Sequence, residues 1–249
     1  MIRGLGSTAE KLVAGTSGFA YPDWAPRFYP AGLRDSDRLA FYSSRLGAVE
    51  LNNTFYQRPT SDRISTWCDA VPETFRFVVK AQRGASMRAL LSTPQESVAW
   101  LTDRLDAFGD RLGAVLYRIP GTIRRSTDGT SDEAIRQLLS AWPESLPLVL
   151  EFVDPSWHVD ETFEAMRDAG AVLCTTELPE QDGPLDIRVT GTGLYLRLRR
   201  LDYSTDELVA WAARLKPFLE AGHPVLVVFR HDESGRAAEL ATELTGLAG

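Results

Sequence analysis

The sequence predicts an α/β fold, a (β/α)8 barrel of the TIM type, and three observations carry that prediction. Eight short apolar runs recur along the chain, at 12–16, 47–51, 75–80, 113–118, 147–152, 171–175, 193–198 and 224–230. They are rich in Val, Leu and Phe and nearly continuous in apolarity, as parallel strands covered on both faces require. Longer amphipathic stretches fill the intervals, and regular alternation of the two favours a parallel sheet with helices outside it. The length of 249 residues is one that a closed barrel uses as a single domain.

Each element follows in order from local signals. A polar opening precedes the first run, so residues 1–11 are expected to form an extension and 12–249 a single barrel domain. Helices are expected at 35–46, 60–70, 94–110, 131–142, 159–169, 204–221 and 234–247. Ser131-Asp132-Glu133, Ser204-Thr205-Asp206-Glu207 and Asp232-Glu233-Ser234 put hydroxyls or carboxylates where they cap a first turn. Residues 178–192 instead hold Pro, Gly and Asp, so the sixth helix is expected to be short or missing.

Composition narrows the partners. The net charge of −7 disfavours non-specific binding to nucleic acid and to anionic membranes. No run reaches the roughly 18 apolar residues of a membrane span. The opening MIRGLGSTAEKL lacks the apolar core of a signal peptide, so a cytoplasmic location is expected. Cys68 and Cys174 lie far apart in apolar surroundings and read as buried, reduced thiols. Oligomeric state leaves no signal in the sequence.

The richest stretch runs from Leu12 to Pro59. It contains Gly15-Thr16-Ser17-Gly18-Phe19-Ala20-Tyr21-Pro22-Asp23-Trp24, then Phe28-Tyr29-Pro30, then Val49-Glu50-Leu51-Asn52-Asn53-Thr54-Phe55-Tyr56-Gln57-Arg58-Pro59. This stretch resembles the opening of the YecE-like family, known as domain of unknown function 72. Phe75-Arg76-Phe77-Val78-Val79-Lys80, Leu112 to Pro120, Glu151 to Trp157 and Tyr195 to Arg200 are similar to later motifs and extend the resemblance over nearly the whole chain. It implies the barrel, with this chain as a divergent member, and implies no reaction. The chain departs from the pattern at Arg118 for a Gln, Val153 for an Arg, Arg199-Arg200 for a His-Gly pair, and Arg230-His231-Asp232 on the last strand. The His that relatives carry after the third-strand Lys is also absent from Ala85-Ser86-Met87-Arg88.

Barrels of this type hold ligands at the C-terminal ends of the strands. Polar residues expected there include Ser17, Glu50, Asn52, Lys80, Arg118, Glu151, Arg197, Arg199, Arg230, His231 and Asp232. Glu50, set between Val49 and Leu51, is the foremost acid–base candidate, because burial raises a carboxyl pKa. Glu151 holds the matching place on the fifth run. Lys80 closes the third run, where burial or a nearby cation would depress its pKa and make it a base or nucleophile. Arg197 and Arg199 share one face of their strand and, with Arg118 and Arg230, form a cluster suited to phosphate or carboxylate. The alternative is that these charges pair among themselves and brace the barrel. Among the loop aromatics, Tyr56 is the candidate for stacking on a ligand, while Trp24 and Trp157 read as lids on the core.

The three histidines are too scattered for a metal site, and no Walker loop, G-x-G-x-x-G or H-E-x-x-H pattern is present. No metal or cofactor is expected. The leading expectation is acid–base chemistry on a small anionic molecule by Glu50, Lys80 and Glu151, with Ser17, Asn52, Tyr56 and the arginines binding it. Two other readings stand beside it: a nucleic-acid-processing or binding protein, which the acidic balance disfavours, and a non-catalytic ligand-binding or regulatory barrel.

Overall fold

The computed structural model describes Met1, Gly4, Leu5, residues 12–180, Gly183 and residues 185–248. Its strands are β1 (Leu12–Ser17), β2 (Ala48–Leu51), β3 (Arg76–Lys80), β4 (Leu112–Ile119), β5 (Leu148–Phe152), β6 (Val172–Glu177), β7 (Leu194–Leu198) and β8 (Val225–Phe229). All eight are parallel and close a barrel in sequence order, β8 pairing back onto β1 from Leu12↔Val225 to Thr16↔Phe229. The fold is therefore the (β/α)8 barrel that the alternation predicts.

The period-two geometry of a strand explains why the runs read as continuously apolar. Val13, Ala48, Val78, Ala114, Val149 and Val228 face the barrel interior and form one core. Their neighbours Leu12, Val49, Phe77, Val115, Leu150 and Phe229 face outward and form a second core with the helices. Small residues dominate the inner layer because the strands leave little room. A Cβ on Gly15 would lie 1.8 Å from the Ala48 carbonyl oxygen, so β1 can approach β2 only with glycine there.

The helices are α1 (Arg38–Ser43), α2 (Ser61–Asp69), α3 (Arg83–Leu91), α4 (Pro94–Thr102), α5 (Thr130–Ala141), α6 (Asp160–Ala169), α7 (Thr205–Glu220) and α8 (Arg236–Ala248). The start of α7 is a full capping box: Ser204 Oγ accepts from the Glu207 N–H and Glu207 Oε2 accepts from the Ser204 N–H at 2.7 Å. The helices differ from expectation in two places. The one at 94–110 stops at Thr102, because Arg104 takes a left-handed φ of 72°, and the chain restarts as a 3-10 turn over Leu105–Arg111. The unexpected α3 carries no apolar stripe for periodicity to find; Gln82, an uncommon cap, starts it by accepting from the Ala85 N–H at 2.8 Å.

Between β6 and β7 the described residues contain no helix, as the composition of 178–192 predicts; 181, 182 and 184 lie outside the described residues. Most of the extension expected over 1–11 also lies outside them. Leu5 is described: its N–H donates to the Thr192 carbonyl at 3.0 Å and its side chain joins the inner core. No helix among the described residues is long and apolar enough to cross a membrane.

One irregularity shapes the upper rim. The β4–β5 ladder runs to Ile119↔Phe152 and the β6–β7 ladder to Glu177↔Leu198, but β5 and β6 pair only at Val149↔Val172 and Leu150↔Leu173. Beyond those pairs the two strands part.

Candidate functional site

The C-terminal ends of the strands surround a cavity of about 470 Å³. Ser17 of β1, Lys80 of β3, Arg118 of β4 and Arg197 of β7 line it, with Asn52, Tyr56, Arg199, Arg230 and His231 from the segments just beyond strand ends. Tyr21 and Phe55 complete the wall from the loops after β1 and β2. The sequence expectation thus gathers most of its residues into one place.

Beneath the cavity lies a closed ionic network. Glu50 is fully buried, and its Oε1 accepts from Ser17 Oγ at 2.8 Å, Lys80 Nζ at 2.7 Å and Arg197 Nη2 at 3.1 Å. Its Oε2 accepts from the Tyr195 hydroxyl at 2.8 Å. Arg197 Nη1 donates to both oxygens of Glu151, at 2.8 and 2.9 Å, and Glu151 also meets Thr176 Oγ1 at 3.0 Å and Arg118 Nε at 3.1 Å. Lys80 further donates to the Asn52 side-chain oxygen, while the Asn52 amide nitrogen donates to the Ser17 carbonyl at 3.0 Å and the Tyr21 hydroxyl at 3.1 Å.

This geometry corrects the expectation for Glu50. Burial does push its carboxyl pKa up, but the Arg197 and Lys80 charges outweigh burial and hold it at about 2. Glu50 is therefore an anion at neutral pH, and the raised pKa expected of it does not hold. Lys80 behaves as anticipated: burial lowers its pKa below 10.5, with Arg197 adding to the effect and Glu50 opposing it. Arg197, also buried, is held by the two carboxylates and presents only part of its surface to the cavity.

Asp232 requires a second correction. Its carboxylate accepts from the N–H groups of Gly235 at 3.1 Å and Arg236 at 2.9 Å, and from Ser234 Oγ at 2.6 Å. It caps the start of α8 and does not line the cavity, because its carboxylate is turned onto the first amides of that helix.

The remaining arginines differ from Arg197. The guanidinium of Arg199 is half-buried in the cavity wall, and neither it nor the exposed guanidinium of Arg230 makes a hydrogen bond or ion pair with any described residue. Burial and the neighbouring Arg197 charge lower the Arg199 pKa, the mark of a cation short of compensation. Among the described residues, the carboxylates paired with Lys80, Arg118 and Arg197 are Glu50 and Glu151 alone, so the mouth carries excess positive charge. His231 stacks on Tyr21 with centroids 5.3 Å apart and planes 8° apart. Partial burial and the charges of Arg230, Lys80 and Arg199 lower its pKa below 6.5, leaving the ring neutral at pH 7.

Tyr195 is the functional-type residue that strand-end reasoning overlooks. It sits mid-strand, but a Tyr two positions before Arg197 shares its inward face, and that spacing was the available signal. Trp24, Thr16 and Trp157 of the motifs are tied into the scaffold. The buried Trp24 donates its indole N–H to the Asp232 carbonyl at 2.8 Å, and Thr16 Oγ1 lies 2.8 Å from the Tyr42 hydroxyl. Trp157 is likewise buried and donates to the Ile123 carbonyl at 2.9 Å. Among the described residues no three His, Cys, Asp or Glu side chains gather as metal ligands would.

The profile of the family described as protein of unknown function DUF72 matches residues 13–249. The chain belongs to the DUF72 family. The UPF0759 protein YunF of Bacillus subtilis is 23% identical over 257 residues, covering 88% of this chain and 89% of that one. Among solved structures, a DUF72 family protein from Thermotoga maritima superposes with a TM-score of 0.80 at 24% identity, covering 95% of this chain and 98% of its own. Another from Enterococcus faecalis gives 0.77 at 20% identity, covering 95% of each chain. At these identities the structural likeness establishes the fold alone. Within this DUF72 barrel, the departures Arg118, Arg199 and Arg230 all line the mouth cavity.

Proposed function

We propose that this DUF72 protein binds a small molecule bearing phosphate or carboxylate at the mouth of the barrel, with Lys80 as the acid–base group. The observation that carries the reading is Arg199: a half-buried guanidinium in a cavity wall, with no partner among the described residues. A cation in that position carries a desolvation cost that an ionic ligand offsets. Arg230 and Arg118 stand around the same space, and guanidinium groups take phosphate or carboxylate through paired hydrogen bonds. Glu50 and Glu151 orient Arg197 and Lys80 from below. Lys80 is left as the group whose amine is nearest to losing its proton while reaching the ligand space.

Isothermal titration with inorganic phosphate and with malonate tests the reading. Binding to the wild type that weakens at least tenfold in Arg199→Ala supports it. Absence of binding by either anion, or binding indifferent to Arg199→Ala, overturns it.

A further inference from the structure

A second cavity of about 630 Å³ opens beside the mouth, in the gap where β5 and β6 part. Its lining includes Glu151, Cys174 and Thr176, which face inward, and Phe152, Leu173 and Thr175 from the alternate positions. Side chains of both faces line one space only where that space passes through the sheet. The cavity therefore crosses the barrel wall at the unpaired ends of the two strands. Phe152, Phe163 of α6, Leu173, Leu178 and Leu185 give its outer part an apolar wall, while His158, Asp186 and Arg188 also line the cavity, the last two joined as an ion pair. A helix between β6 and β7 would cover this side of a regular barrel, and the described residues of that connection contain none. Arg118 and Arg199 line both cavities and stand at their junction.

We infer that the anionic molecule carries an apolar substituent, an alkyl or aryl group of several carbons, that enters the split between β5 and β6. The inference rests on the anion reading of the mouth and adds the second half of the ligand. An apolar chamber joined to a few convergent charges is how sites for small amphipathic molecules are generally built. The charged group meets Arg199 and Arg118 at the junction, and the apolar group displaces water from beside Phe152 and Leu185.

A homologous series separates the two readings. Inorganic phosphate, methyl, butyl and hexyl phosphate are titrated into the wild type, alongside acetate, pentanoate and heptanoate. Affinity is expected to rise by about two- to fourfold for each added methylene. In the double variant Leu178→Asn/Leu185→Asn that rise should flatten, with inorganic phosphate affinity held within twofold. Should the double variant unfold, Leu178→Asn alone serves, since that side chain is 50% exposed and does little for the core. Anions that bind with no dependence on chain length overturn this inference and leave the mouth reading intact. A rise that both variants preserve places the apolar group elsewhere and also overturns it. If no member of either series binds, the mouth reading fails and this one fails with it.

Discussion

Arg197 grips Glu151 through one nitrogen, its Nη1 lying 2.8 Å from Oε1 and 2.9 Å from Oε2. Its other terminal nitrogen reaches Glu50 at 3.1 Å, so one guanidinium compensates two buried carboxylates from different strands. Such a network contributes less to stability than its charge count suggests, because each ion gives up its hydration; removing one partner, by contrast, strands the others in the interior.

Arg197→Met is accordingly expected to destabilise the barrel by about 3–5 kcal/mol. Urea unfolding of the variant against the wild type reads that loss directly, and a change below about 1 kcal/mol would show that water already reaches the network.

Glu50 sets an acid limit. Its carboxyl titrates near 4.5 when unexposed to the fold's charges and at about 2 in the folded barrel. A lowered folded-state pKa stabilises above the unfolded value and loses that stabilisation as pH falls from about 4.5 towards 2. Wild-type urea midpoints should drop more steeply across that window than those of Glu50→Gln, which has no proton to take up there.

Lys80 is one of three lysines, with Lys11 and Lys216, so its amine is easily followed by carbon NMR after reductive methylation. Its titration is expected below 10.5, and Glu50→Gln should lower it further by deleting the charge that most favours the ammonium form. A titration at or above the ordinary lysine value would remove Lys80 from the acid–base role.

Arg199→Ala and Arg230→Ala should each leave stability within about 0.5 kcal/mol of wild type, since neither guanidinium braces a described residue. Each should weaken phosphate binding by roughly 10- to 100-fold, the worth of a hydrogen bond to a charged group. Thermal melts and titration calorimetry on the same samples check both halves; a large stability loss with unchanged binding would assign these arginines to the scaffold.

Gly15→Ala forces a methyl to within 1.8 Å of the Ala48 carbonyl oxygen, at the first pair of the β1–β2 ladder. A loss of more than about 4 kcal/mol, or failure to fold, is expected, beyond the ordinary range for single substitutions. Circular dichroism and unfolding midpoints report it.

The helical layer was legible where its signals were local. Ser204 and Glu207 announce α7 by a capping box, whereas α3 starts at Gln82 without an apolar stripe and escapes notice. The left-handed turn at Arg104, which splits the expected helix over 94–110, occurs at a residue type that rarely adopts it.

By itself the sequence determined eight strands, their order around a barrel, and the ring of polar residues at the strand ends. These follow from apolar periodicity and from a chain rule that puts C-terminal strand ends on one rim. Tertiary structure alone decided which charges meet. Glu50 and Arg197 stand 147 residues apart in the chain, and only their 3.1 Å approach decides that neighbouring cations overcome burial and hold the carboxyl low. The same holds for Asp232, drawn onto the amides of α8, and for the parting of β5 from β6, which depends on where the two strands stop pairing. Periodicity records which face a side chain takes; a pairwise distance across a closed barrel has no counterpart along the chain.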